Sequence, residues 1–144
     1  MGLAHVTLQD IWRAEAGQRA SRKRKVGLPK VLIVDDERTT VRLLRTILEL
    51  DGFEVMTASR GEEALALVRE QPPDVMLVDY HLADMKGVEV VARLRADDHF
   101  ARLPVVMTSG LDHQEEALAA GANHFLIKPF EPSRLSAIFR DLVG

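Results

Sequence analysis

The sequence predicts an α/β domain in which helices wind both faces of a five-stranded parallel sheet. Three observations carry this. Val31-Leu32-Ile33-Val34 and Val75-Met76-Leu77-Val78 are continuous apolar runs, as strands buried on both faces require. Each run is followed by a segment with apolar residues at helical spacing, so strand and helix alternate. Breakers such as Asp51-Gly52, Pro72-Pro73 and Gly121 fall between these segments. The second run ends in Asp79, at the strand's carboxyl end, where open α/β sheets build their ligand sites. A carboxylate delivered there by a buried strand costs desolvation unless something uses it.

The elements follow in order from Lys30. Val31–Val34 forms the first strand and ends at Asp35-Asp36-Glu37. The next helix carries Val41, Leu44 and Leu48 on one face, and Asp51-Gly52 ends it with glycine as a left-handed cap. Phe53-Glu54-Val55-Met56-Thr57 alternates apolar and polar, as an edge strand does. Ser59-Arg60-Gly61-Glu62 has the pattern of a capping box, opening a helix with Leu65 and Val68 inside that Pro72 stops. After the Asp79 strand, Gly87 precedes a helix whose Val90, Val91 and Leu94 face the core. Pro104 to Ser109 is the fourth strand, Asp112-His113-Gln114-Glu115 a capped helix start, and Gly121 that helix's end. Phe125-Leu126-Ile127 is a short fifth strand closed by Lys128-Pro129. Pro132 fits the first turn of a last helix striped by Leu135, Ile138, Phe139 and Leu142.

Composition bounds the remainder. At 144 residues, with 47% hydrophobic and 28% charged residues, the chain suits one globular domain. It has no cysteine, which excludes disulfides, thiol catalysis and thiolate-bound metals. No apolar run reaches the ~18 residues of a membrane span, and no secretory pattern opens the chain, so a cytoplasmic setting is expected. The net charge of −3 divides unevenly: residues 1–28 carry +4, from six basic and two acidic residues, and the remainder −7. Residues 1–28 therefore read as a basic N-terminal extension and residues 29–144 as the folded domain. Within the extension Thr7 is placed to cap a short helix through Ala16 with Leu8, Ile11 and Trp12 on one face. The run from Arg19 to Lys25 suits a flexible arm, and without interleaved aromatics it is a weak nucleic-acid signal.

In a parallel sheet the carboxyl ends of the strands share one edge, so Asp35, Asp36, Asp79, Ser109 and Lys128 converge without any special loop. Several close carboxylates resist ionising together, and a divalent cation removes that conflict. An all-oxygen donor set favours a hard ion, with Mg²⁺ the natural choice. Carboxylates, a divalent metal, a lysine and a hydroxyl are the parts that stabilise a transferring phosphoryl group, with Asp79 as a possible nucleophile.

These residues carry a family resemblance. Val34-Asp35-Asp36-Glu37, Val78-Asp79 with Gly87 beyond it, Pro104 to Gly110, and Gly121 to Phe130 resemble the motifs of response-regulator receiver domains of two-component signalling. The resemblance covers residues 30–144 and implies the flavodoxin-like (βα)5 fold with strand order 2-1-3-4-5. It implies that Asp79 is the phosphoacceptor, loaded from a phosphohistidine of a sensor histidine kinase or histidine phosphotransfer protein. Asp36, Asp79 and the His81 backbone carbonyl would bind Mg²⁺ directly, and Asp35 through water. Lys128 would pair with the phosphoryl oxygens, while Ser109 and Phe125 would act as the switch. The face built by the fourth helix, fifth strand and fifth helix would then address a downstream protein partner or a second copy of the chain. No enzyme beyond self-phosphorylation and loss of the chain's own phosphate is implied. His81 and Leu111 stand where the family sets phosphate lifetime.

The sequence departs from the family at Ala83, where a proline is usual, so a more mobile loop is expected there. Thr108 places a second hydroxyl beside Ser109; counting from Pro104, and Gly110 next in the chain, favour Ser109 as the switch. Arg38, Thr39 and Arg42 are candidate kinase-docking positions. Rival readings fail on particular residues. A haloacid-dehalogenase-type phosphatase needs a second carboxylate where His81 stands, and a flavodoxin or Rossmann enzyme needs a phosphate loop where Asp35-Asp36-Glu37 stands. A receiver-like module that docks without phosphorylation, or a receiver piece of a longer regulator, are the remaining alternatives.

Overall fold

The computed structural model describes residues 7–9, 11 and 27–144. From Lys30 onward five strands and five helices alternate: β1 (Lys30–Val34), α1 (Arg38–Leu50), β2 (Glu54–Ala58), α2 (Gly61–Glu70), β3 (Val75–Asp79), α3 (Gly87–Ala96), β4 (Val105–Ser109), α4 (Gln114–Ala120), β5 (His124–Ile127) and α5 (Pro132–Val143). All ladders are parallel and the order is β2-β1-β3-β4-β5. The doubly wound architecture and its strand order are those expected.

The pleat splits the core in two. Leu32, Val34, Met76, Val78, Val105 and Met107 point to one face, where α2, α3 and α4 cover them. Val31, Ile33, Val75, Leu77 and Val106 point to the other, under α1 and α5. Burying both faces is why β1 and β3 read as unbroken apolar runs. At about 25 cal/mol per Å² of apolar surface, two such layers supply the main folding drive.

Gly52 and Gly121 take φ of 93° and 113°, the left-handed turns that end α1 and α4. Gly87 is the first residue of α3 rather than the one before it. A Cβ there would run into the carbonyl oxygen of Asp79.

Two local readings need correction. Phe53 lies outside β2, yet it is fully buried, edge-on to Phe139 at 5.9 Å. The alternation read over 53–57 reflected an anchor followed by a strand displaced by one residue. The expected Ser59–Glu62 capping box does not form: Arg60 occupies the cap position without a side-chain bond, and the Ser59 N–H donates to Glu63 at 2.7 Å. The Gly61 and Glu62 N–H groups at the start of α2 donate instead to Asp84, at 2.8 and 3.0 Å.

In the extension, the Ile11 N–H donates to the Thr7 carbonyl at 3.1 Å, in keeping with a helix that begins after Thr7. Trp12 and the basic run lie outside the described residues. No helix among the described residues is long and apolar enough to cross a membrane.

Candidate functional site

Asp35 directly follows β1 and Asp79 ends β3, side by side at the centre of the sheet. Carboxylate oxygens of Asp35, Asp36 and Asp79 all lie within 4.8 Å of one another. Lys128, just beyond β5, reaches across to them: its Nζ is 3.0 Å from Asp35 Oδ2 and 3.3 Å from Asp79 Oδ1. Asp35 is 5% exposed, and its other oxygen accepts the Glu37 N–H at 2.9 Å. Asp36 is exposed. The peptide between Lys128 and Pro129 is cis.

Burial, then repulsion from Asp35, raises the Asp79 carboxyl above its ordinary pKa, and Lys128 only partly offsets this. For Lys128 burial opposes the charge, but the Asp35 and Asp79 partners prevail and hold the ammonium above its ordinary pKa. Three carboxylates against one ammonium leave a net negative pocket with oxygen donors only. That donor set and spacing fit a hard divalent cation. A groove of about 420 Å³ opens beside it, lined among others by Asp35, Asp36, Arg38, Arg42, Arg45 and Ser59. Thr39 does not line it.

The loop after β3 is held on several sides. The Tyr80 N–H donates to the Thr108 carbonyl, the Gly87 N–H donates to the Tyr80 carbonyl, and His81 bridges Lys86. The Met85 side chain packs so close to Gly61 that a Cβ there would come within 2.6 Å of it. With Asp84 capping α2, these ties hold the backbone around His81 despite Ala83.

Ser109 is nearly buried and its hydroxyl accepts the Leu111 N–H at 3.2 Å. By the pleat it belongs to the face of Met107 and Tyr80, as does Phe125, which pairs with Met107 in register and packs partly buried against that core. Thr108 pairs with Asp79 in register, and its buried hydroxyl has no hydrogen-bond partner among the described residues. The structure thus gathers Asp35, Asp36, Asp79 and Lys128 into one cluster, and places Ser109 and Phe125 on the opposite face of the sheet. Asp84 and the Tyr80–Glu116 contact went unread in the sequence. Asp84 gave no local signal, because it lies 22 and 23 residues from the helix start that it caps.

This is a doubly wound α/β domain with an acidic pocket and one lysine at the carboxyl edge of its sheet. The chain belongs to the response regulator receiver domain family, whose model matches residues 31–140. It is 39% identical over 113 residues to the phosphate regulon transcriptional regulatory protein PhoB of Rhizobium meliloti (strain 1021), covering 76% of this chain and 50% of that protein. The transcriptional regulatory protein PrrA of Mycobacterium tuberculosis is 39% identical over 116 residues, covering 80% and 50%. The chain spans about half the length of these curated relatives. Among solved structures, a putative response regulator from Chloroflexus aurantiacus superposes with a TM-score of 0.77 at 34% identity, covering 81% of this chain and 98% of that one. The chemotaxis response regulator CheY4 of Vibrio cholerae gives 0.75 at 32% identity, covering 80% and 98%.

Proposed function

We propose that this receiver domain is switched by phosphorylation of Asp79. The observation that carries the reading is the convergence of three carboxylates within 4.8 Å with Lys128 3.3 Å from Asp79. An Asp79 carboxylate oxygen attacks the phosphorus of a phosphohistidine. The P–N bond breaks, the imidazole leaves with that electron pair, and an acyl phosphate remains. The donor belongs to a sensor histidine kinase or histidine phosphotransfer protein, approaching over the groove that Arg38 and Arg42 line.

Asp36, Asp79 and the His81 carbonyl would hold Mg²⁺, with Asp35 in support. When bound, the cation supplies positive charge to the phosphoryl oxygens and relieves the repulsion among the carboxylates. Lys128, 3.3 Å from Asp79, supplies a second positive charge. Ser109, whose hydroxyl at rest accepts the Leu111 N–H, then turns across the strand end to donate to the new phosphoryl group, and Phe125 turns inward behind it. The α4–β5–α5 face thereby changes toward a downstream protein or a second copy. The shift is as large as the contacts that the phosphoryl group makes better in one state than in the other. The domain carries out no further catalysis, and the setting proposed is the cytoplasm.

The test is incubation with Mg²⁺ and acetyl phosphate, read by intact mass, with Asp79→Asn as control. One added phosphoryl group that disappears in the variant is expected. Labelling that persists would move the chemistry to another carboxylate. An unlabelled protein that binds Mg²⁺ would favour docking without phosphorylation.

A further inference from the structure

Tyr80, the chain's only tyrosine, follows the phosphoacceptor directly but faces the other way. It is 3% exposed, and its hydroxyl donates to the Glu116 carboxylate, 2.8 and 2.9 Å from the two oxygens. Its ring stacks flat on His113, with centroids 3.8 Å apart and planes 4° apart. His81 stands edge-on to both rings at 4.7 and 6.0 Å, and Lys86 Nζ lies 6.0 Å from the Tyr80 centroid. His113 and Glu116 sit at the start of α4, with His113 Nδ1 3.8 Å from Glu116. Glu116 also holds the Tyr80 phenol above its ordinary pKa, mainly through the hydrogen bond.

The backbone of Tyr80 is fixed by bonds to Thr108 and Gly87, so its side chain is a strut from the phosphoacceptor strand to α4. The helix it reaches has seven residues, too few to be stable alone, so its contacts decide where it stands. A further tie at this end is the Leu111 N–H on the Ser109 hydroxyl. A Ser109 hydroxyl turned to a phosphoryl group would release that N–H. The Tyr80–Glu116 bond would then carry the entry to α4.

We infer that Tyr80 and Glu116 form a latch holding α4 against the phosphoacceptor strand, and that its strength sets how readily the domain takes its phosphorylated arrangement. The coupling rests on the receiver reading above; the latch itself rests on the contacts alone. A latch made better in the resting state widens the gap that phosphorylation must overcome, and loosening it shifts the resting population. A domain shifted in advance already stands closer to the labelled arrangement, so it is expected to take up a phosphoryl group more readily.

The test uses Tyr80→Phe, which keeps the ring and its stacking on His113, and Glu116→Gln on the exposed face of α4. The first readout is amide exchange of residues 114–120 in unphosphorylated protein. Losing a hydrogen bond to a charged acceptor is expected to speed exchange about tenfold in Tyr80→Phe. The effect is expected to be smaller in Glu116→Gln, whose amide oxygen still accepts, and β1 should be unchanged. The second readout is the initial rate of Asp79 labelling by acetyl phosphate with Mg²⁺, expected to rise several-fold in Tyr80→Phe. Unchanged exchange in α4 overturns the latch. Faster exchange with an unchanged or lower labelling rate overturns its coupling to the site. A wild-type protein that is never labelled would overturn the receiver reading and the coupling with it, while the exchange result still decides the latch.

Discussion

Lys128 and Asp35, 93 residues apart in sequence, meet at 3.0 Å, and the same ammonium lies 3.3 Å from Asp79. One cation from beyond an edge strand thus serves two carboxylates from two adjacent inner strands, β1 and β3. The pair is a tether across the carboxyl edge of the sheet as well as an electrostatic device.

Replacing Lys128 by Met leaves Asp35, with a side chain 4% exposed, and Asp79 facing each other without that cation. The cost is expected to stay below the ~3–5 kcal/mol of a fully buried pair, because the Lys128 side chain is 25% exposed. Urea unfolding at neutral pH should show this loss, and saturating Mg²⁺ should recover part of it. Labelling by acetyl phosphate should fall by at least tenfold.

Asp79→Asn should stabilise the protein at neutral pH. The folded carboxyl is held above the usual value, chiefly by burial and then by Asp35. A raised acid contributes its stability below the unfolded value of about 3.9, and loses it as pH rises through the folded value. At pH 7 the ionised Asp79 is therefore a net cost that asparagine removes. Thermal unfolding should give a higher Tm for the variant at pH 7, a gap that closes toward pH 3, and a smaller gain from Mg²⁺ than in wild type.

Asp84 works in the opposite sense. Its carboxyl is held below the usual value, first by the Glu62 N–H and then by the Gly61 N–H. A depressed acid contributes stability above the unfolded value of about 3.9 and loses it as pH falls through the folded value. Asp84→Ala should therefore lower Tm at pH 7 and differ little from wild type in strong acid. Because the same loop carries His81, Mg²⁺ should also bind several-fold more weakly, which calorimetric titration would read. An unchanged affinity would separate the α2 cap from the metal site.

What was legible in the sequence was whatever a strand end delivers. Val31–Val34 and Val75–Val78 announce themselves because burial on both faces removes every polar residue, and the charged residues that follow must then meet at one edge. Ser109 reads from sequence as the hydroxyl at the end of the fourth strand, and Phe125 through the family's motifs; the pleat that puts them on the far face from Asp79 emerges only from the register with Met107 and Ile127. The missed features are ties between distant elements. Asp84 caps a helix from 22 and 23 residues away, and Tyr80 reaches Glu116 across 36. Ser59 and Glu62 offered a local pattern that satisfied the helix start on paper, and the loop carboxylate displaced it. A local pattern records what neighbours could do for one another and is silent about a competitor arriving from another loop.

The alternation of the pleat also makes the length of β3 a matter of odd and even. By the alternation of the pleat Asp79 belongs to the face of Leu77, under α1 and α5, while Tyr80, the residue just after the strand, packs into the core on the other face. Inserting or deleting a single residue within β3 would exchange them, aiming a carboxylate into an apolar layer and a phenol at the acidic pocket. A change of two residues would preserve the assignment and alter only reach. Evolution of this segment is thereby confined to substitutions and paired length changes, however freely the surface loops grow or shrink.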